Sequence, residues 1–109
     1  MTLRPAAPED CLTMPEVRAG VDALDRRIVA LLAERFRYMD AAARIKRERV
    51  EVRDEARKAE VIANARAAAK VTQAPDAEIA ALYEVLVEAS IAYELGRFDA
   101  SARAKALAE

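Results

Sequence analysis

Residues 17–36 read VRAGVDALDRRIVALLAERF. Val17, Val21, Leu24, Ile28, Leu31 and Leu32 recur at alternating steps of three and four, which places them on one stripe of an α-helix and not on one face of a strand. The start of that helix is written upstream. Thr13 is a capping residue, Glu16 stands three positions on to complete a capping box, and Pro15 is tolerated in a first turn whose backbone donors have no helical partner. Gly20 interrupts the stripe at a cost of about 1 kcal/mol and suggests close packing. Past Arg35 the same face continues through Met39, Ala42 and Ile45. The pattern therefore predicts one helix from about Pro15 to Val50, roughly 50 Å long. A stripe of that length cannot be buried within so short a chain, so a second copy is expected to cover it.

The rest of the chain repeats the helical signal. Glu48, Arg49, Glu51 and Arg53 mark a turn, and Asp54 can cap a second helix running to about Lys70. That helix carries Ile62 and an alanine-rich face, where high propensity stands in for large side chains. Val71 to Asp76, with Thr72, Gln73 and Pro75, reads as a connection. Ile79, Leu82, Val85, Leu86, Ala89 and Tyr93 then form the expected packed stripe of a third helix ending near Gly96 or Phe98. The expected class is all-α: a three-helix subunit with a long first helix whose open stripe is covered by a second copy. The domain expected is a single one, 1–109, with a core at about 15–98, an N-terminal arm at 1–14 and a tail at 99–109 that extends the last helix or frays.

Composition narrows the functional classes. Lys and Arg number 18 against 19 Asp and Glu, a formal charge of −1, which offers no general basic field for nucleic acid or an anionic membrane. Any anion must be held by a local cluster. Cys11 alone excludes an intrachain disulfide framework and is read as inert. Met1 to Asp10 lacks a basic region followed by an apolar run, and no apolar stretch approaches membrane-spanning length. The expected location is cytoplasmic.

The charges on the helices have informative spacing. Arg35 and Lys46 are eleven residues apart, which on a helix is an offset of only about 20° over roughly 16 Å, so two long cationic stems can converge on one ligand. Arg18 lies roughly 25 Å from Arg35 and about 100° around the helix, too far to join that pocket in its own chain but accessible to it from a partner helix. Ordinary solvated surface is the alternative for all three. Buried cations would need anionic ligand groups or carboxylate partners, since leaving them unpaired costs several kcal/mol.

Taken in order, these pieces resemble the all-helical chorismate mutase family, including its isochorismate pyruvate-lyase branch, over roughly Pro8 to Arg97. The resemblance is carried by VRAGVDALDRRIVALLAERF with Arg18 and Arg35, by AAARIK ending at Lys46, by Arg57 opening the second helix, and by Ser90 and Glu94 on the third. It implies an intertwined helical homodimer with two equivalent sites, Arg18 crossing from the partner, and a cyclic dicarboxylate substrate bearing an enolpyruvyl ether. Arg18 and Arg35 would clamp carboxylates. Lys46 would reach a carboxylate and the ether oxygen, Arg57 would support the second-helix side, and a protonated Glu94 would donate to the same ether oxygen. Lys46, Glu94 and Arg35 are thus the catalytic candidates, with Arg18, Asp54, Arg57 and Ser90 added for substrate binding. Neither reaction of the family needs a nucleophile, metal or cofactor, and none is expected.

Several residues have competing structural readings. Asp54 serves first as a helix cap, and Ser90 can hydrogen-bond to its preceding turn. Tyr38, Tyr83 and Tyr93 read as packing residues. Two departures from the family pattern keep the reaction open between mutase and lyase. Lys58 stands where mutases usually place a glutamate for the ring hydroxyl, and Glu94 replaces the usual glutamine. Pro8, Glu9, Asp10 and Cys11, together with YMDAAARIK from Tyr38, look more like the lyase branch. A mutase acting on an amino-substituted substrate and a noncatalytic helical interaction module complete the alternatives.

Overall fold

The computed structural model describes residues 4–109, so that part of the expected arm at Met1, Thr2 and Leu3 lies outside the described residues. The chain is all-α, with no strand among the described residues. In order come a 3-10 turn at Pro8–Asp10, α1 at Met14–Ile45, a second 3-10 turn at Arg49–Glu51, α2 at Glu55–Thr72 and α3 at Asp76–Ala108. None of these helices is long and apolar enough to cross a membrane. The residues fall into two compact units, one ending at Arg37 and the other running Tyr38–Glu109.

In the first unit the start of α1 is built by the expected pair. The Glu16 N–H donates to Thr13 Oγ1 at 3.4 Å, Thr13 Oγ1 donates to Glu16 Oε1 at 2.9 Å, and the same carboxylate accepts from Leu12 N at 3.2 Å. The box thus satisfies orphan donors of the first turn, with Glu16 reaching one residue further back than the Thr13 backbone. A Cβ added at Gly20 would meet Ala6 O at 4.0 Å, ordinary contact distance, so the close packing suggested by this glycine is not needed within the chain. The apolar stripe stays open to solvent, with Val21, Ile28 and Leu31 exposed by 49%, 50% and 65%.

In the second unit α1 stops at Ile45, short of the expected Val50, because the next carboxylates take over the backbone. Glu51 Oε2 accepts from Glu48 N at 2.7 Å and Arg47 N at 2.8 Å, forming a capping box around the 3-10 turn. These two N–H donors hold the Glu51 carboxyl below its usual range. Asp54 Oδ1 accepts from Arg57 N at 3.0 Å and caps α2. At the other end Gln73 adopts the left-handed conformation, φ 62°, and Ala74 N returns to Ala69 O at 2.8 Å, closing the helix with a Schellman-type turn.

Helices α2 and α3 pack around Val52, Val87 and Ile91, with Val61, Leu95 and Phe98 against them. Buried Ala65 and Ala69 let the backbones approach, which accounts for the small side chains of α2. The packed face of α3 is therefore not the one expected. Leu82 and Val85 are 65% and 70% exposed and Ala89 is exposed, whereas Val87, Ser90, Ile91 and Glu94 are buried. The helix carries two apolar stripes, and α2 covers the one led by Val87 and Ile91. Nor does α3 end near Gly96 or Phe98. Phe98 packs on the core, Arg49 grips Asp99, and the alanine-rich sequence beyond has the propensity to continue to Ala108.

A charge clasp joins the start of α2 to α3. Lys58 Nζ lies 2.5 Å from Glu84 and 2.8 Å from Glu88, while Arg53 bonds Glu88 at 2.7 and 3.1 Å and Glu55 at 3.0 Å. Arg53 and Lys58 hold the Glu88 carboxyl down at about 2. A carboxyl depressed in the fold contributes stability above its unfolded value, and that contribution is lost as pH falls through the folded one. The thermal midpoint should accordingly lose the clasp's share on acidification from about pH 4.5 toward 2, by a small amount because the pairs are solvent-exposed. Glu88→Gln should flatten part of that acid branch in a melting series. Identical acid branches in the two proteins would remove the clasp from the stability of the fold.

Candidate active site

Lys46 follows the last residue of α1, and its N–H still donates to Ala42 O at 2.9 Å, so it continues the final turn of the helix. Glu94 shares a face of α3 with Val87, Ser90 and Ile91, the spacing that lines residues up along one side of a helix. The two charged side chains, 48 residues apart, meet: Lys46 Nζ donates to Glu94 Oε2 at 2.7 Å. Glu94 is only 5% exposed. A carboxylate so deeply placed requires a donor, and a charge-assisted bond of this length supplies one.

Ser90, 4% exposed, lies one helical turn before Glu94 and donates through Oγ to Leu86 O at 2.7 Å. The back-bond to the preceding turn is thus present. Further contacts hold the end of α1 to α3 on either side of the pair. Tyr93 Oη donates to Asp40 Oδ1 at 2.7 Å, Arg97 Nε approaches the same oxygen at 3.2 Å, and Arg49 bonds Asp99 at 2.9 and 3.3 Å. The Tyr93 phenol is raised because its proton is held by Asp40, and the Asp99 carboxyl is lowered by the Arg49 guanidinium.

The expected site residues separate accordingly. Lys46, Glu94 and Ser90 lie close along one stretch of the second unit. Asp54 and Arg57 are together as the cap of α2, with the Arg57 guanidinium paired to Glu60. Lys58, at the usual glutamate position, is committed to Glu84 and Glu88. Arg18, exposed, and Arg35, half-buried, belong to the unit ending at Arg37. Sequence reading missed the Asp40–Tyr93–Arg97 and Arg49–Asp99 contacts. Asp40 stood in YMDAAARIK, but nothing in its spacing named Tyr93, fifty-three residues on, as its donor.

A cation and a carboxyl group paired at a half-buried position form a site able to rearrange around a ligand. An incoming anion can take the ammonium, while the carboxyl, if protonated, becomes a donor toward a neutral oxygen. No curated protein and no solved structure matches the chain. The family model of chorismate mutase type II matches residues 17–95, a span that includes Arg18, Arg35, Lys46, Asp54, Arg57, Ser90 and Glu94. With most of its length matched by that family model, the chain belongs to the chorismate mutase type II family.

Proposed function

We propose that the protein rearranges chorismate to prephenate in the cytoplasm, acting as a homodimer with two equivalent composite sites. The family match supports the reaction class, and the observation that carries the site is the pairing of half-buried Lys46 with buried Glu94. Lys46 donates to a substrate carboxylate and to the ether oxygen as the C–O bond breaks. Glu94, in its protonated form, donates to the same oxygen. Arg35 and the partner subunit's Arg18 clamp carboxylates, while Asp54, Arg57 and Ser90 complete the substrate-binding set. The catalytic contribution is positioning of a compact conformer, together with positive charge where negative charge develops. No step calls on a nucleophile, metal or cofactor.

The dimer is supported by apolar surface that the chain leaves open. Val21, Ile28 and Leu31 on α1, and Leu82 and Val85 on α3, form stripes whose exposure in an isolated chain is costly, and a second copy buries them.

Lys58 favours a second reading, isochorismate pyruvate-lyase, because the acceptor usual for a mutase at that position is replaced by a cation tied to Glu84 and Glu88. Product analysis separates the two. The purified protein supplied with chorismate should yield prephenate efficiently, and isochorismate should yield little salicylate or pyruvate. Salicylate plus pyruvate with little prephenate would establish the lyase instead, and no turnover of either substrate would leave an interaction module or an amino-substituted substrate.

A further inference from the structure

Next to Lys46, where the end of α1 faces the last turns of α3, lies a cavity of about 490 Å³, a size that suits a small metabolite. Its walls include Arg44, Lys46, Arg47, Phe98, Ser101 and Lys105. Neither Ser90 nor Glu94 lines it. Arg44, Arg47 and Lys105 make no ion pair and no side-chain hydrogen bond among the described residues, while Lys46 is paired with Glu94. Glu109 is the one carboxylate side chain on the wall.

The C-terminal ends of α1 and α3 each contribute roughly half a negative charge and the Glu109 side chain one more, against the three unpaired cations, and a carboxylate at the chain terminus would add to that offset. Lys46 is neutralised by Glu94 for as long as that pair holds. A ligand that draws Lys46 away from Glu94 gains a further cation. Guanidinium groups offer paired donors to phosphate or carboxylate oxygens, the Ser101 hydroxyl supplies another donor, and Phe98 gives the carbon portion an apolar face.

We propose that this cavity is a second anion site, binding a compact ligand with two or more negative charges that competes with Glu94 for Lys46. The binding itself stands apart from the proposed reaction and does not rest on it.

Calorimetric titration of the full chain with inorganic pyrophosphate, at fixed ionic strength, tests it. Saturable binding at one ligand per chain is expected, kept in Arg35→Ala and weakened at least about tenfold in Arg47→Ala/Lys105→Ala, since two charge-assisted contacts are removed. Glu94→Gln should tighten binding severalfold by releasing Lys46, and Lys46→Ala should weaken it. Citrate binding alongside pyrophosphate marks a site for polyanions at large, pyrophosphate alone a phosphate site, and both support the proposal. Absence of saturable binding by either ligand, unchanged affinity in the double variant, or loss in Arg35→Ala would overturn it. Unchanged affinity in both Glu94→Gln and Lys46→Ala would sever the link to the catalytic pair. Should pyrophosphate bind as described to a protein that turns over neither chorismate nor isochorismate, the proposed reaction falls and the anion site stands.

Discussion

Lys46→Ala is expected to lower kcat/KM for chorismate by at least about a hundredfold, the usual cost of losing one donor to developing negative charge. The same change carries a structural cost. Glu94 is 5% exposed and takes its 2.7 Å hydrogen bond from Lys46, so deleting the ammonium strands a buried carboxyl group and should destabilise the fold by about 2 kcal/mol. A rate defect in the single variant is therefore open to the objection that the protein has partly unfolded. The double variant Lys46→Ala/Glu94→Gln meets it. Its neutral amide tolerates burial better than an unpaired carboxylate, so much of the melting temperature should return while turnover stays low. Recovery of activity together with stability would show that Lys46 acts only as a structural partner of Glu94.

The second large effect concerns Glu94. A carboxyl group donates a hydrogen bond only while protonated, whereas an amide donates at every working pH. If Glu94 donates to the ether oxygen, kcat/KM should decline at the alkaline end, where a carboxyl group has no proton to give. Glu94→Gln should hold a flat profile over roughly pH 4 to 9 and exceed the wild type at the alkaline end. Folding and oligomeric state must be verified at each point, because ionisation at a buried position also bears on folding. Superimposable profiles at equal efficiency would mean that Glu94 is not the donor.

Local instructions were the most legible part of the chain. Thr13 and Glu16 marked the start of α1, and Asp54 the cap of α2, because caps act over three or four residues and their spacing is written in sequence. Pairings across helices were not legible this way. Lys46 and Glu94 were named as neighbours only through the family resemblance, since helical spacing says nothing of which residue lies opposite at a separation of 48. The face of α3 was misassigned for a related reason: Leu82 and Val85 satisfy helical periodicity as well as Val87 and Ile91 do, and periodicity alone does not rank two apolar stripes. Burial of Val52 in a charged linker, and the run of α3 through Gly96, likewise depend on contacts with distant residues.

The proposed reaction takes place where Lys46 and Glu94 of one chain meet Arg18 of another. Subunit exchange tests it most directly. Arg18→Ala and Lys46→Ala dimers, each nearly inactive, should be mixed, allowed to exchange, and assayed for prephenate. A heterodimer then holds one site with both changes and one site with neither, so a statistical mixture should regain roughly one quarter of wild-type activity. No recovery after exchange has been verified, for instance by mass-tagged chains, would contradict a site shared between subunits.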